Sequence, residues 1–277
     1  MNALSGTRRL LWAQALLASL AISLILSACA TSPTGRRQLM LLPSDQVAQM
    51  GDAAYAQVQQ KEPAIRGQPV SRYVECVARA VISAVGAPEG GGNWEVTVFQ
   101  GSQVNAFALP GGNIGVYAGL LQAARSPDQL AAVIGHEIAH VQAQHPNARI
   151  SAQFAADAGL SVIQAAGAGT ALESRESMAL LGLGAQVGLL LPFSRGQESE
   201  ADILGLRYVA DAGFDPRAAV ELWQNMAAVG GPGGPTFLST HPSGAKRIET
   251  LQESMPQALE QYRAAQARGR RPACVAP

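Results

Sequence analysis

Charge of one sign is the first thing this sequence lacks: 20 Lys and Arg stand against 20 Asp and Glu, a formal net charge of zero. Without a basic excess there is no electrostatic footprint for nucleic acid or for an anionic surface, and nucleic acid is excluded as an expected partner. Aromatic residues are scarce at 5%, whereas Gly fills 29 of the 277 positions, a balance that suits close helix packing and flexible loops. No internal repeat is detectable, so stacked-repeat architectures are set aside. Cysteine occurs three times, which allows at most one internal disulfide. A hydrophobic content of 48% over this length supports one substantial core.

What is present begins with a segment to be set apart from the fold. Arg8 and Arg9 precede a nearly unbroken apolar run over residues 10–26, which ends in Leu26-Ser27-Ala28-Cys29. That ending reads as a lipobox and predicts a lipoprotein signal peptide over 1–28, with Cys29 acylated after cleavage. An uncleaved transmembrane anchor is the alternative, because a run of this length nearly spans a bilayer. Ala30, where Asp would retain a lipoprotein at the inner membrane, fits sorting to the outer membrane of a Gram-negative cell. The expected setting is therefore the cell envelope, facing the periplasm from a lipid anchor. Cys76 and Cys274 then lie in an oxidising compartment, where an even remainder favours a disulfide over two free thiols.

Residues 29–43 are polar and contain Pro and Gly, and read as a tether; 44–265 reads as the folded domain and 266–277 as a C-terminal tail. Ser44-Asp45 caps an expected first helix over 46–60, and a stripe from Val70 to Val85 predicts a second. Trp94, Val96 and Val98 alternate with polar neighbours, as in a half-buried strand. Residues 105–109 and 114–117 flank Pro110-Gly111-Gly112-Asn113, a hairpin-like turn. The remainder is mostly helical. Ser126-Pro127-Asp128-Gln129 opens a helix with an N-cap, a proline at the first helical position and a capping box. Leu130, Val133, Ile134, Ile138 and Val141 form its buried face, so polar residues carried on it require a reason.

Those polar residues are His136, Glu137 and His140, in the order H-E-x-x-H. Positions four apart share a helix face, so both imidazoles reach one zinc ion while Glu137 stands beside it to handle the proton of a bound water. Two partly buried core histidines are the bland alternative, and the cost of burying Glu137 without a role weighs against it. A catalytic zinc site needs a third protein ligand. His145 fails the metzincin pattern, since Ala143 and Pro146 stand where Gly and His are required, and reads as a supporting residue. Ser194 and Gln197 form another capping box and start a helix carrying Glu198 and Glu200. Glu198 has Asp202 one turn on, available to orient His136, whereas Glu200 has Leu204 there. The expected ligands are thus His136, His140 and Glu198, one Zn²⁺ per subunit, with Asp202 behind them. Glu137 is the expected general base, and Glu200 is expected to be a solvated surface charge. Two histidines, a glutamate ligand and a glutamate base suit hydrolysis of peptide bonds, and nothing here suits phosphoryl or redox chemistry.

With these motifs, and with Thr34-Gly35-Arg36-Arg37-Gln38-Leu39, Asn105-Ala106-Phe107-Ala108-Leu109-Pro110-Gly111-Gly112 and Ser239-Thr240-His241-Pro242, the chain resembles the gluzincin peptidases that include the CAAX prenyl protease and the bacterial heat-shock membrane protease. The resemblance is strongest to their periplasmic lipoprotein branch. It implies an α+β zincin-type metallopeptidase, helix-rich with a small β-sheet, acting as a zinc-dependent endopeptidase on unfolded or misassembled envelope proteins. A lipoprotein chaperone or assembly factor that keeps the zinc fold with little turnover is the rival reading. The resemblance makes Asn105, Ala106 and Phe107 an edge strand that pairs with extended substrate, against an ordinary core strand as the plain alternative. His241 becomes a candidate catalytic donor to the oxyanion, or a latency ligand, against a helix-start histidine. Membrane-spanning relatives place helices where this chain has its apolar 157–192 stretch. Here residues 178–191 read as a helix over the cleft or a homo-oligomer contact, with core packing as the alternative.

Overall fold

The computed structural model describes residues 29–168, 192–229, 236–242 and 245–277, without the side chains of 158–168 and 245. The expected signal segment 1–28 and the expected cleft or oligomer helix at 178–191 lie outside the described residues. Two compact units are present, one ending at Leu41 and one beginning at Leu42. In the first, β1 (Cys29–Thr31) pairs antiparallel with β2 (Arg37–Leu39), so this stretch carries a small sheet where a plain tether was expected. Cys29 is exposed.

The second unit has an α+β fold. It contains α1 (Ser44–Lys61), β3 (Ala64–Ile65), α2 (Pro69–Val85), β4 (Glu95–Phe99), β5 (Ala106–Leu109), β6 (Asn113–Tyr117), α3 (Pro127–Gln142), α4 (His145–Ala168), α5 (Arg195–Ala212), α6 (Ala218–Ala228), the short α7 (Thr236–Thr240) and α8 (Ala245–Ala267). Among the described residues no helix is long and apolar enough to cross a membrane.

Four strands form a mixed sheet in the order β3-β4-β6-β5. β5 and β6 are the expected hairpin, turning through Gly111 and Gly112 with φ of 90° and 95°, which L side chains rarely adopt. The half-buried alternation expected at Trp94, Val96 and Val98 is not what forms. The strand begins at Glu95, and Thr97, Val98 and Phe99 are all buried, because β4 is an interior strand between β3 and β6. β5, in contrast, is an edge strand, bonded to β6 on one side only.

α3 is the centre of the core, with residues 129–141 all buried and its flank packed against α5, which packs in turn on α8. The α3–α5 approach depends on two glycines. A Cβ on Gly205 would stand 2.9 Å from the His136 backbone nitrogen, and one on Gly135 would stand 3.0 Å from the Gly205 carbonyl oxygen. Ser126 caps α3 by accepting from the Gln129 N–H. Only half of the expected capping box forms there, because the Gln129 carboxamide accepts from the Arg125 N–H one residue earlier. The full box forms at α5, between Ser194 and Gln197. The tail after α8 returns to α2 through a Cys76–Cys274 disulfide that spans 198 residues of sequence.

Candidate active site

α3 presents His136 and His140 one turn apart, and α5 brings Glu198 against them through the glycine-lined crossing. His136 Nε2 is 3.1 Å from His140 Nε2 and 3.5 Å from Glu198 Oε2, and His140 Nε2 is 3.4 Å from Glu198 Oε1. His241, at the end of α7, places Nδ1 3.3 Å from His136 Nε2 and 3.1 Å from Glu198 Oε1. All four side chains are buried, and their ligand atoms lie within 4.8 Å of one another. Ligands about 2.05 Å from a tetrahedral zinc ion stand about 3.3 Å apart, so the observed spacings match the edges of such a tetrahedron.

Proton bookkeeping points the same way. His136 Nδ1 lies 3.1 Å from Asp202 Oδ1, so its hydrogen belongs on Nδ1 and its Nε2 offers a lone pair. His140 Nδ1 lies 2.9 Å from His145 Nδ1, and His145 Nε2 lies 3.1 Å from Glu200 Oε2. A donor chain from His140 through His145 to Glu200 leaves the His140 Nε2 lone pair facing inward as well. Two imidazole lone pairs and a carboxylate thus converge on one buried point, a donor set that suits a metal ion, with the Arg247 guanidinium beside it at 2.6 Å from Glu198 Oε2 and 2.9 Å from His136 Nε2. Burial and Arg247 pull the His136 pKa down, but Asp202 and Glu198 outweigh them and push it up to about 9. Burial works against the Glu198 charge too, yet His136, His140 and His241 hold that carboxyl far below the usual range. The same carboxylates that attract a proton there attract a metal ion.

Glu200 departs from expectation. It is 3% exposed rather than solvated, because α5 is buried on more than one face and the side opposite Glu198 meets His145. Glu198 and Asp202 share the face towards His136, and Glu200 supports His140.

Glu137 lines a cavity of about 300 Å³ beside the ligand cluster. Burial raises its pKa, with His241 and His136 opposing, and its carboxylate accepts from the Ala108 N–H of β5. Its Oε1 lies 3.4 Å from His241 Nε2. Asn105, Ala106 and Phe107 line the same cavity along the edge strand. Asn105 Oδ1 is buried there without a hydrogen-bond partner. The Phe107 ring occupies the space over Gly115 of β6, where a Cβ would stand 2.2 Å from it.

Sequence reasoning missed Arg247 of α8. Its guanidinium grips Asp202 through two 2.8 Å bonds, reaches Glu198 Oε2 at 2.6 Å and stacks on Trp223 with its central carbon 3.5 Å from the ring centroid. Arg247 is four residues before Leu251, and both are buried. The signal available in the sequence was a charged residue one helical turn before Leu251, on the same buried side. Phe193 was missed as well: it stacks on His140 with ring centroids 3.8 Å apart.

Comparison with known proteins follows from this geometry. A family model described as Peptidase family M48 matches residues 69–255. The mitochondrial metalloendopeptidase OMA1 of Schizosaccharomyces pombe is 40% identical over 192 residues, 69% of this chain and 54% of that protein. The mitochondrial metalloendopeptidase OMA1 of Homo sapiens is 36% identical, covering 61% of this chain and 33% of the relative. The beta-barrel assembly-enhancing protease of Yersinia pestis is 29% identical, covering 75% and 43%. The chain thus spans about half or less of the length of these relatives.

Proposed function

The chain belongs to peptidase family M48, and from that premise we propose that it is a zinc-dependent endopeptidase of the cell envelope, hydrolysing peptide bonds of unfolded or misassembled proteins. The observation that carries this reading is the placement of Glu137: a buried carboxylate between a zinc-shaped His-His-Glu cluster and a cavity walled by an edge strand.

His136, His140 and Glu198 would hold the metal, oriented by Asp202 with Arg247 and by His145 with Glu200. When bound, zinc supplies Lewis-acid polarisation of the scissile carbonyl and lowers the pKa of a water ligand to about 7. Glu137 takes the proton from the attacking water and hands it to the leaving amine, with a pKa raised by burial towards the working range of such a base. β5 aligns the substrate by adding its extended backbone to the free edge, and Asn105 Oδ1 supplies an acceptor for a substrate N–H. His241 donates to the oxyanion during turnover. In its present conformation His241 Nδ1 stands among the ligand atoms, which favours a second, resting role in which the same imidazole fills the fourth position.

Localisation is read from the N-terminal sequence: Arg8-Arg9, the apolar run and Cys29 give a lipid-anchored protein facing the periplasm, and the disulfide agrees with an oxidising compartment. Residues 44–265 are the proposed peptidase domain, and the family match lies within them. Purified protein with stoichiometric zinc is expected to degrade an unfolded protein, and Glu137→Gln to bind it without cleaving. If both forms merely suppress its aggregation to the same extent, the chaperone reading takes over. Cys29→Ala should abolish lipid labelling; a variant still held in membranes after a carbonate wash would reveal a transmembrane anchor instead.

A further inference from the structure

The family match begins at residue 69, yet one side of the cavity that Glu137 lines is built by α1, which ends at Lys61. Ala54 and Val58, one turn apart and half-buried, line it from that helix. Phe107, Leu109 and Tyr117 line it from β5 and β6. These five side chains belong to a small apolar cluster around Tyr55 and Phe99, separate from the main cluster that holds α3. Glu137 and His241 line the same cavity, so the apolar pocket and the reacting groups share one space.

The walls of this pocket are held in place. The Tyr55 hydroxyl ties α1 to β4 by donating to Thr97 Oγ1 at 2.6 Å, and Asn113 Nδ2 ties it to the β5–β6 turn by donating to Asp52 Oδ1 at 2.6 Å. Gly51 lets the helix meet that turn, since a Cβ there would collide with the Pro110 carbonyl oxygen. The Phe107 ring lies over Gly115, its cross-strand partner. It packs against Phe99, Tyr117 and Tyr55 with ring centroids 6.1, 6.4 and 6.5 Å away.

Strand geometry decides which substrate side chain enters. The Asn105 and Leu109 carbonyls accept from the Tyr117 and Gly112 N–H groups, so the backbone groups of Ala106 and Ala108 turn to the free edge. In a peptide paired along that edge, the residue opposite Phe107 carries its side chain on the Phe107 face of the sheet, which is the α1 face. Ala54 contributes a single methyl group and leaves space there, and Val58 closes it one turn on.

We propose that α1 makes this pocket a size-selective subsite, in which Ala54 and Val58 admit one large apolar side chain of the substrate, such as Leu or Phe. The inference rests on the peptidase reading for the identity of the ligand as an extended peptide. Burying an apolar side chain here removes surface from water on both partners, whereas a polar one of similar length gives up hydration against an apolar lining.

Labelled peptides are titrated by fluorescence anisotropy into zinc-loaded Glu137→Gln protein, so that affinity is read without turnover. Their host is a Ser and Thr sequence of one length with Ala, Leu, Phe or Gln at its centre, so the varied residue sets the register. The Leu and Phe peptides are expected to bind about tenfold more tightly than the Ala and Gln peptides, the lower range for discrimination by an apolar pocket. Adding Ala54→Leu fills the space and brings the Phe-to-Ala ratio to about one. Adding Val58→Ala enlarges it and raises the Phe-to-Leu ratio. Zinc content and melting temperature are checked for both, and a merely structural defect weakens every peptide alike. Equal binding of the four peptides, or ratios that both variants leave unchanged, overturns the subsite. The wild-type protein is assayed in parallel for cleavage of the same peptides. A binding preference with no cleavage of any peptide sinks the peptidase reading and leaves the subsite standing; cleavage without preference does the reverse.

Discussion

Glu200 and His145 are joined in the interior, Oε2 to Nε2 at 3.1 Å, and neither side chain is more than 3% exposed. Behind this pair His145 meets His140, so a carboxylate on α5 reaches the second imidazole of the cluster through one intermediate ring.

Removing Glu200 is therefore expected to weaken metal binding. Glu200→Ala leaves His145 without its carboxylate, and zinc affinity should fall about tenfold to a hundredfold, as for other partners that orient a ligand. Glu198→Ala removes a ligand and should lose stoichiometric zinc. Chelator competition on the two purified variants checks both; unchanged affinity in Glu200→Ala would mean that His145 orients His140 without help.

Glu137→Gln should keep zinc at wild-type stoichiometry and lose cleavage. In the wild type, burial lifts the Glu137 carboxyl above its ordinary pKa, so the proton that blocks it as a base is retained to higher pH. Activity should be full above that raised value and decline as pH falls through it. The acid limb of a kcat/KM profile is expected above the ordinary carboxylate value of about 4.3. A limb at or below that value would contradict the assignment.

His241→Ala separates two roles. Loss of an oxyanion donor should cut kcat by about 10² to 10³ with zinc retained. If the resting role dominates, basal cleavage rises instead. A variant indistinguishable from wild type in both zinc content and rate leaves His241 with neither.

Gly205→Ala tests the helix crossing. The added Cβ would press on the His136 backbone at 2.9 Å, an atom that cannot move alone. α3 and α5 should separate, with a stability loss of about 1–3 kcal/mol and weaker zinc binding. Thermal melts of the apoprotein and zinc titration read the two effects; a wild-type result in both would show that the crossing relaxes freely.

The Cys76–Cys274 bond fixes the tail that follows α8, and Gln266 in the last turn of α8 and Arg270 in the tail also bond the α5 C-terminal end. Cys76→Ser with Cys274→Ser should cost about 2–5 kcal/mol of stability. Alkylation of envelope-derived protein before reduction should label neither cysteine; labelling of both would show that the bond does not form in the cell.

Local order was legible in the sequence because its signals act over one or two helical turns. His136 and His140 share a face by helix periodicity alone, Ser194 and Gln197 cap α5 with their own atoms, and Asp202 follows Glu198 by one turn. The β5–β6 hairpin was readable too, from its glycine turn, whereas the edge position of β5 was implied by the family resemblance alone. Tertiary structure decided what depends on a second element arriving. Glu200 has no mark that distinguishes it from a surface glutamate; it is buried because α4 brings His145 to that side of α5. Arg247 meets His136 across 111 residues and Arg149 meets Phe193 across a chain segment outside the described residues, so no local spacing could pair them. Periodicity fixes which residues share a face, but it carries no information on what that face will touch. That is set by helix packing, here by two glycines that let α3 and α5 approach closely enough for carboxylate and imidazole to meet.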